Sequence, residues 1–432
     1  MTKLAAFGAV AALAVAACGS DDDDAEAPAD EPAEAPADEP ADEPADEPAE
    51  EPADDDAMED DDAMEDDAMD DDAMEDDAMD DDAMEEGGSA LAAHCPETIV
   101  IQTDWFPEAE HGALYQMIDG SAATIDADTK VVSGPLVAGG EATGINLEVR
   151  TGGPAVGFQQ VVSLMAQDDG IHFGYVATDE AIENYADNPT TAFVAPLEIN
   201  PQIIMWDPET YPDVTSIADL ATANGGDPVT IRYFETGAYM QYLLSSGQVT
   251  EAQLDGSYDG GPSVFIAEGG SIAQQGFASA EPYNYEFVFE DWAKPVEFQL
   301  IHDAGWQTYA APLAVLDSRK DELAECMAAF APVVQQAVVD YVADPVATND
   351  LIVQAVNDYN DFWVYDAELA QWSVDKQVEI GLVSNGPDSI VGNFDLDRLA
   401  GFIDVASPVF GAEGLTPDDL VTNEYIDDSI GL

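Results

Sequence analysis

From residue 98 onward, short runs of apolar residues alternate with longer stretches in which apolar residues recur at helical spacing. The first run, Thr98–Gln102, has the length and β-branched composition of a buried strand. The pattern predicts further strands at residues 145–150, 171–176 and 191–196, and helices at 109–117, 158–166 and 177–185. Strands and helices that alternate at this spacing predict a parallel sheet with crossover helices.

A second block with the same alternation begins at residue 202. The pattern predicts strands at 202–206, 229–234, 263–266, 276–278, 296–301 and 308–316, and helices at 216–223, 238–246, 321–330, 333–342, 349–359, 367–378 and 396–405. We therefore expect an α/β fold of two lobes with a hinged cleft between them. Residues 95–200 form the first lobe, 201–294 the second, and 295–432 return to the first lobe and end in helices. The chain is expected to cross between the lobes near 196–202 and 292–295.

The N-terminus has the layout of a secretory signal, with Lys3 before an apolar run at residues 4–15. The run is too short for a permanent membrane helix. It ends in small residues followed by Cys18, which resembles the bacterial lipobox, so residues 1–17 are predicted to be cleaved and Cys18 to be lipidated. Two acyl chains would anchor the protein stably to the membrane. The alternative is an ordinary secretory signal with a chance cysteine.

Residues 18–94 are predicted to be a disordered acidic tether rich in proline, alanine and methionine. The whole chain has a formal charge of −83, and residues 21–87 hold 37 of its 92 carboxylates without one basic residue. Such a surface repels phosphate, so we expect no nucleic-acid partner. Six methionines are spread along the tether, and copper binding is the alternative to a simple solvated spacer: Met58, Met64, Met69, Met74, Met79 and Met84.

Two cysteines remain after Cys18, namely Cys95 and Cys326. A pair of cysteines in an exported protein predicts a disulfide. The alternative is two buried free thiols.

Candidate ligand-binding residues follow from strand ends, because ligands of open α/β sheets bind beyond the carboxyl ends of the strands. Aromatic rings and carboxylates at these ends could stack a flat heterocycle and pair with its amino groups. The candidates are Trp105, His111, Tyr115, Tyr175, Asp179, Glu235, Thr236, Tyr239, Glu281 and Tyr283. Each has an alternative role as core or as a helix cap. The scarce cations Arg150 and Arg232 are expected to neutralise nearby carboxylates.

The stretch from Asp104 to Tyr115 reads D-W-F-P-E-A-E-H-G-A-L-Y, and it is similar to the D-W-x-P-x-x-x-H-x-x-x-Y opening of the thiamine-precursor (pyrimidine)-binding family. Residues 168–174 (D-D-G-I-H-F-G) and 275–282 (Q-G-F-A-S-A-E-P) also resemble that family. The family belongs to a superfamily with nitrate-, sulfonate- and taurine-binding proteins. The resemblance implies a type II periplasmic-binding fold and a substrate-binding lipoprotein of an ABC transporter.

These observations predict a monomeric extracytoplasmic receptor, lipid-anchored to the outer face of the cell membrane, that delivers a thiamine-pyrimidine-like heteroaromatic ligand to the transmembrane subunits of an ABC permease. A small oxyanion such as nitrate, a sulfonate or taurine is the alternative ligand, and an acidic surface-interaction protein is the alternative class. No enzymatic activity, cofactor or metal is expected. The four histidines show no metal-binding spacing, and no nucleophile elbow or P-loop lysine occurs. A related pyrimidine-forming enzyme uses a cysteine-rich iron site, which these cysteines do not supply.

Overall fold

The structure is a computed structural model that describes residues 90–432, which lie within one compact unit. The predicted signal peptide, the lipidation of Cys18 and most of the acidic tether lie outside the described residues and stay predictions. Within the described part, strands form two separate sheets flanked by helices. The predicted fold class, α/β with two lobes, is confirmed.

The first sheet has seven strands in the order β2-β3-β4-β1-β5-β12-β6. Its strands are β1 (Thr98–Gln102), β2 (Thr124–Asp126), β3 (Val131–Ala138), β4 (Glu141–Arg150), β5 (Phe173–Tyr175), β6 (Thr190–Val194) and β12 (Leu313–Leu316). The apolar run of β1 is buried because β1 pairs in parallel with β4 on one side and β5 on the other. The outer strands pair antiparallel, so the sheet is mixed. The sequence pattern predicted a purely parallel sheet, which is wrong for these outer strands.

The segment between the first helix and β4 contains two strands that the sequence pattern did not predict. β3 pairs antiparallel with β4 through a turn at Gly139 and Gly140, whose φ angles are 55° and 84°. Two consecutive positive φ angles suit glycine and match the right-handed twist of a hairpin. Pro135 lies inside β3. A proline within an apolar run argues against a strand, and for this reason the sequence pattern did not predict β3.

The second sheet has five strands in the order β11-β7-β10-β8-β9. They are β7 (Gln202–Trp206), β8 (Ile231–Arg232), β9 (Leu254–Asp255), β10 (Ala273–Phe277) and β11 (Glu297–Leu300). The strand predicted at 263–266 is wrong, because Ser263–Ala267 is a helix. Short apolar runs fit a buried strand and a buried helical turn equally well, and Phe265 is the fully buried residue of this turn.

The chain crosses from the first sheet to the second between Val194 and Gln202. The return occurs later than the predicted segment at 292–295. The strand Glu297–Leu300 pairs with β7 in the second sheet, so the chain returns only between Leu300 and Leu313. The predicted domain boundary at residue 295 therefore lies one strand too early, since an extended run does not reveal which sheet it joins.

Helices cover both sheets and dominate the C-terminal part. They are α1 (Gly112–Gln116), α2 (Val161–Gln167), α3 (Thr178–Asn184), α4 (Ala238–Ser245), α5 (Ser263–Ala267), α6 (Glu281–Tyr283), α7 (Lys320–Ala343), α8 (Val346–Tyr359), α9 (Ala367–Glu379) and α10 (Leu396–Phe410). Two helices predicted at 321–330 and 333–342 are one helix, α7, which continues through Pro332. Its Phe330 stacks on Phe173 of the first sheet at a centroid distance of 5.9 Å.

Helix α7 and the short turn before it, Asp317–Ala343, are long and apolar enough to cross a membrane by length and composition alone. In this chain the helix belongs to the core of the first lobe, where Phe330 and Val334 are completely buried. A disulfide joins its Cys326 to Cys95, which precedes β1 by only a few residues and lies 231 positions earlier in the chain. The bond ties the start of the first sheet to the helix that covers it.

Candidate functional site

A cleft of about 640 Å³ lies between the two sheets, at the carboxyl ends of their strands. Residues from both lobes line it: Asp104, Trp105, Gly153, Phe158, Gln159, Gln160, Val161, Glu180, Gln202, Phe234, Glu235, Thr236, Gly237, Gly256, Tyr258, Asp259, Gln275 and Phe277. Most of the segments that supply them follow β1, β4, β5, β8 and β9, whereas Gln275 and Phe277 lie within β10 and Gln202 begins β7. This position beyond the strand ends is where open α/β sheets bind ligands.

Aromatic rings from both lobes meet across the cleft. The ring centroid of Trp105 lies 6.1 Å from that of Phe158 in the first lobe and 6.5 Å from that of Phe234 in the second. Phe158 and Phe234 are 6.0 Å apart, and Tyr258 lies 4.9 Å from Phe234. These tilted rings form an apolar surface on which a flat or cationic group can pack.

Trp105 is held in place by the glycine pair that follows β4. A Cβ atom on Gly153 would lie 2.5 Å from the Trp105 ring, and the backbone there has a φ of 59°. A Cβ on Gly152 would lie 2.1 Å from the carbonyl oxygen of Thr103. Both positions therefore require glycine, and the loop packs directly against the indole.

A smaller cavity of about 80 Å³, here called the acidic cavity, adjoins the cleft. It shares Asp104, Trp105, Phe234, Tyr258 and Phe277 with the cleft, and Glu108, Glu110, Gly260, Ala280, Glu281 and Trp363 complete its lining. Glu110 accepts a hydrogen bond from the Ser279 hydroxyl of the other lobe. Glu281 accepts a hydrogen bond from the Phe277 backbone N–H at 2.7 Å.

Burial raises the pKa of the glutamates in the acidic cavity. It raises the pKa of Glu108 well above its usual value, and the nearby charges of Glu110 and Asp104 raise it further. The pKa of Glu110 is also raised, mainly by burial. Burial raises the pKa of Glu281 to about 7, against the effect of its hydrogen bond from Phe277. The cavity thus holds carboxyl groups that favour protonation when no cation is near.

Two further carboxylates stand on the first-lobe side of the cleft. Glu180 accepts a hydrogen bond from the Val162 backbone N–H at 2.8 Å, and burial raises its pKa to about 8. Asp104 lies 2.9 Å from Nε2 of His111, which is itself 2% exposed. His111 therefore orients Asp104 from behind the cleft wall.

Of the ten residues predicted to contact ligand, the structure brings four to these cavities. Trp105, Glu235 and Thr236 line the cleft, and Trp105 and Glu281 line the acidic cavity. Gly276 makes room for Glu281, since a Cβ there would lie 2.9 Å from its side chain. The other six lie elsewhere.

Four of those six lie behind the first-lobe wall or its helices, where His111, Tyr115 and Tyr175 are buried and Asp179 is half-buried. His111 packs on Tyr175 at 5.5 Å, and Tyr175 is completely buried. Tyr115 borders a separate cavity that lies between α1, the β3–β4 turn and α7. Asp179 accepts hydrogen bonds from Trp306 Nε1 at 3.1 Å and the Thr308 hydroxyl at 3.0 Å, so its carboxylate is occupied by its own lobe.

The remaining two are second-lobe tyrosines. Tyr239 is buried and donates a hydrogen bond to Gln275 Oε1 at 2.7 Å, so it supports a cleft residue without lining the cleft. Tyr283 lies on the outside, 5.5 Å from the Trp372 ring, with its hydroxyl 3.3 Å from Glu368. Neither tyrosine is among the residues that line the cleft or the acidic cavity, and ligand contact by them stays a prediction.

Several lining residues were not among the predicted set. Asp104, Phe234 and Glu180 each adjoin a predicted residue in sequence, so strand-end position was a usable signal for them. Phe158 and Tyr258 come from loops after β4 and β9, and Trp363 comes from the segment after α8. Only folding brings Phe158 to the cleft, Trp363 to the acidic cavity and Tyr258 to both, and no local pattern marks these residues.

The lining of both cavities contains no arginine, lysine or histidine from the described residues. Arg150 pairs with Glu148 at 2.7 Å and Asp168 at 2.8 Å, away from the cleft. Arg232 donates a hydrogen bond to the Ser257 carbonyl at 2.6 Å. Between residues 90 and 432, no group of three histidine, cysteine or acidic side chains has the arrangement of a metal site.

No family model and no curated protein matches the chain. Solved structures do match. A Candida albicans gene product, described as having the generic periplasmic binding protein fold, is 11% identical, with 76% of this chain and 97% of that chain covered and a TM-score of 0.45. The periplasmic aliphatic sulphonate binding protein of Escherichia coli is 11% identical, with 67% and 89% covered and a TM-score of 0.39.

The crystal structure of a desulfurization enzyme also matches, at 10% identity, with 76% of this chain and 97% of that chain covered and a TM-score of 0.41. Binding proteins and an enzyme thus occur among the structures that this chain resembles. With TM-scores below 0.5 these likenesses carry no weight for function, which we infer from the cleft itself.

Proposed function

We propose that this chain is an extracytoplasmic solute-binding protein that captures a small nitrogenous aromatic or amine ligand in the interlobe cleft and delivers it to an ABC permease. The export signal and Cys18 of the sequence would place it on the outer face of the membrane. The cleft supplies the binding site, and two lobes joined by two crossings supply a closing motion.

The observation that carries this proposal is the lining of the cleft. Trp105, Phe158, Phe234 and Tyr258 offer ring faces, and Asp104, Glu180 and Glu235 offer hydrogen-bond acceptors. A heterocycle with amino groups can stack on the rings and donate to the carboxylates. An oxyanion would face carboxylates with no cationic side chain to offset them, and burying it there would be costly.

Closure follows from the division of contacts between the lobes. Trp105 and Phe158 belong to the first lobe, whereas Phe234 and Tyr258 belong to the second. A ligand between these rings touches both walls only when the lobes are closed, so binding favours the closed arrangement. A permease could then distinguish loaded from empty protein by shape.

Isothermal titration of the full chain tests the proposal with three probes: the aminopyrimidine precursor of thiamine, taurine and nitrate. We expect heat with the aminopyrimidine, and a Trp105→Ala variant that loses at least about tenfold in affinity because a stacking face is removed. Trp372→Ala is the matched control, since this tryptophan packs on Tyr283 outside the cleft. Heat from taurine or nitrate alone would show that the ligand is an oxyanion and not a nitrogenous aromatic. No heat from any of the three probes would contradict binding of both ligand classes.

In the alternative, the acidic tether is the binding element and the lobes are only a scaffold. A deletion experiment distinguishes this alternative from binding in the cleft. Deletion of residues 21–87 should leave aminopyrimidine binding unchanged, because rings and carboxylates of both lobes supply the proposed ligand contacts. Loss of binding in the deletion variant would favour the alternative.

A further inference from the structure

The acidic cavity concentrates more negative charge than a neutral heterocycle needs. Asp104, Glu108 and Glu110 reach it from the first lobe and Glu281 from the second. Glu108 is only 8% exposed, and its carboxyl group hydrogen-bonds to another carboxyl group, that of Glu110. Two adjoining buried carboxyl groups are costly to ionise together unless a cation compensates their charge.

An uncharged polar group in the same cavity lacks a hydrogen-bond partner among the described residues. Tyr258 is 8% exposed and borders both the cleft and the acidic cavity, yet its hydroxyl makes no hydrogen bond to any described residue. Buried tyrosine hydroxyls normally have a partner. The indole Nε1 of Trp363, which also lines the cavity, is likewise unpartnered within residues 90–432.

We propose that the acidic cavity binds the cationic head of the ligand, a protonated amine or an amidinium, while the body of the ligand lies in the wider aromatic cleft. This inference rests on the proposed function and names the charge and shape of its ligand. Glu108 and Glu281 are the residues that recognise the charge, and the Tyr258 hydroxyl accepts a hydrogen bond from it.

The surroundings favour a cation in two ways. No described cationic side chain lines the cavity. His111 contacts Asp104 from behind the wall, and the Arg232 guanidinium, 5.9 Å from the Tyr258 ring centroid, donates to the Ser257 carbonyl. The faces of Trp105, Phe234 and Tyr258 also border it, and such rings attract cations through their quadrupoles. A bound cation would therefore offset the repulsion among the carboxylates and gain ring contacts at once.

The cavity also explains how charge could control closure. Glu110 of the first lobe bonds to Ser279 of the second, and Glu281 of the second lobe adds repulsion to the glutamates of the first. Closing the lobes brings these carboxylates together, which is unfavourable while they are ionised. A cation placed between them removes that barrier, so a neutral molecule of equal shape should close the lobes less well.

Benzamidinium and benzamide test this inference, since they share a shape and differ in charge. In calorimetric titrations of the full chain at pH 7.5, we expect benzamidinium to bind at least about tenfold more tightly than benzamide. Glu108→Gln and Glu281→Gln should each reduce that preference to about threefold or less, because each removes one carboxylate that contacts the cation. Glu251→Gln makes the same charge change at an exposed position outside both cavities and should keep the full preference.

Thermal unfolding of each variant shows whether it is folded. If one of the two glutamate variants does not fold, the other still tests the inference. Equal affinity of the two probes, or an unchanged preference in both folded variants, would overturn the inference. The proposed function would still stand if the aminopyrimidine bound and Trp105→Ala abolished its binding. It would fail separately if no solute bound to the cleft.

Discussion

Nε2 of His111 lies 2.9 Å from Oδ1 of Asp104, and this contact joins a buried ring to a carboxylate that lines the cleft. His111 is 2% exposed, and its Nδ1 has no hydrogen-bond partner within the described chain. The histidine therefore makes one polar contact only, and that contact fixes the orientation of Asp104. His111, which the sequence predicts to touch ligand, lies one layer behind the residues that line the cleft.

Replacing His111 by phenylalanine should free Asp104 while keeping the ring packed on Tyr175. The lost hydrogen bond is of the order of 1 kcal/mol, so we expect ligand affinity to fall about three- to tenfold. His111→Gln should recover part of the loss, because an amide can still donate to the carboxylate. Calorimetric titration with benzamidinium measures both. Equal affinity in the wild type and the phenylalanine variant would show that Asp104 needs no support.

Gly153→Ala should disturb Trp105 as well as the backbone. The new Cβ would meet the indole at 2.5 Å, and the positive φ adds strain of about 1 kcal/mol or more. We expect lower stability, a shift in tryptophan fluorescence and weaker aminopyrimidine binding. Gly157→Ala is the control: its φ is 68°, but nothing lies within 4 Å of the added Cβ. It should lose stability and keep binding, and equal losses of binding in both variants would exclude a specific role of the indole contact.

Stability should fall with rising pH because of two buried carboxyl groups. Burial raises the pKa of Glu180 to about 8 and of Glu281 to about 7, from a usual 4.5. Between pH 4.5 and 8 the unfolded chain releases protons that the folded chain keeps, so the free energy of unfolding decreases over this window. Glu180→Gln and Glu281→Gln should therefore raise that free energy at pH 8.5 and change it little at pH 4.5.

Urea unfolding at the two pH values measures the effect. Asp219→Asn provides a control of opposite sign, since hydrogen bonds from Thr215 and Ser216 lower the pKa of Asp219. Its stabilising contribution is present at neutral pH, so this variant should be less stable at pH 8.5. A glutamine variant that loses stability at pH 8.5 would contradict the assignment of a raised pKa.

Breaking the link between Cys95 and Cys326 should destabilise the first lobe. The bond closes a loop of 231 positions, and the chain-entropy model gives about 2–5 kcal/mol for such a cross-link. We expect dithiothreitol to lower the urea midpoint of the wild type and to leave the double variant Cys95→Ser, Cys326→Ser unchanged. An identical midpoint for the wild type with and without reductant would show that the bond adds no stability.

Strand positions were predictable wherever a run was apolar and bounded by turns. Thr98–Gln102 and Gln202–Trp206 are strands with the predicted bounds, because their buried residues alone identify them. The run at 263–266 was assigned to the wrong element, since its three apolar residues are too few to show a helical or strand period. The strand Val131–Ala138 was missed because its pairing with β4, and not its composition, makes it a strand.

The sequence by itself determined the α/β class, the acidity of the chain and the strand-end segments that carry Trp105, Glu235 and Glu281. These depend on local period and on the rule that residues after a strand meet at one sheet edge. Only the tertiary structure decided that Tyr258 and Trp363 join them and that Asp179 and Tyr283 do not. Side-chain direction depends on how each helix or loop packs against the rest of the chain, and contacts between residues more than a hundred positions apart leave no trace in a local pattern.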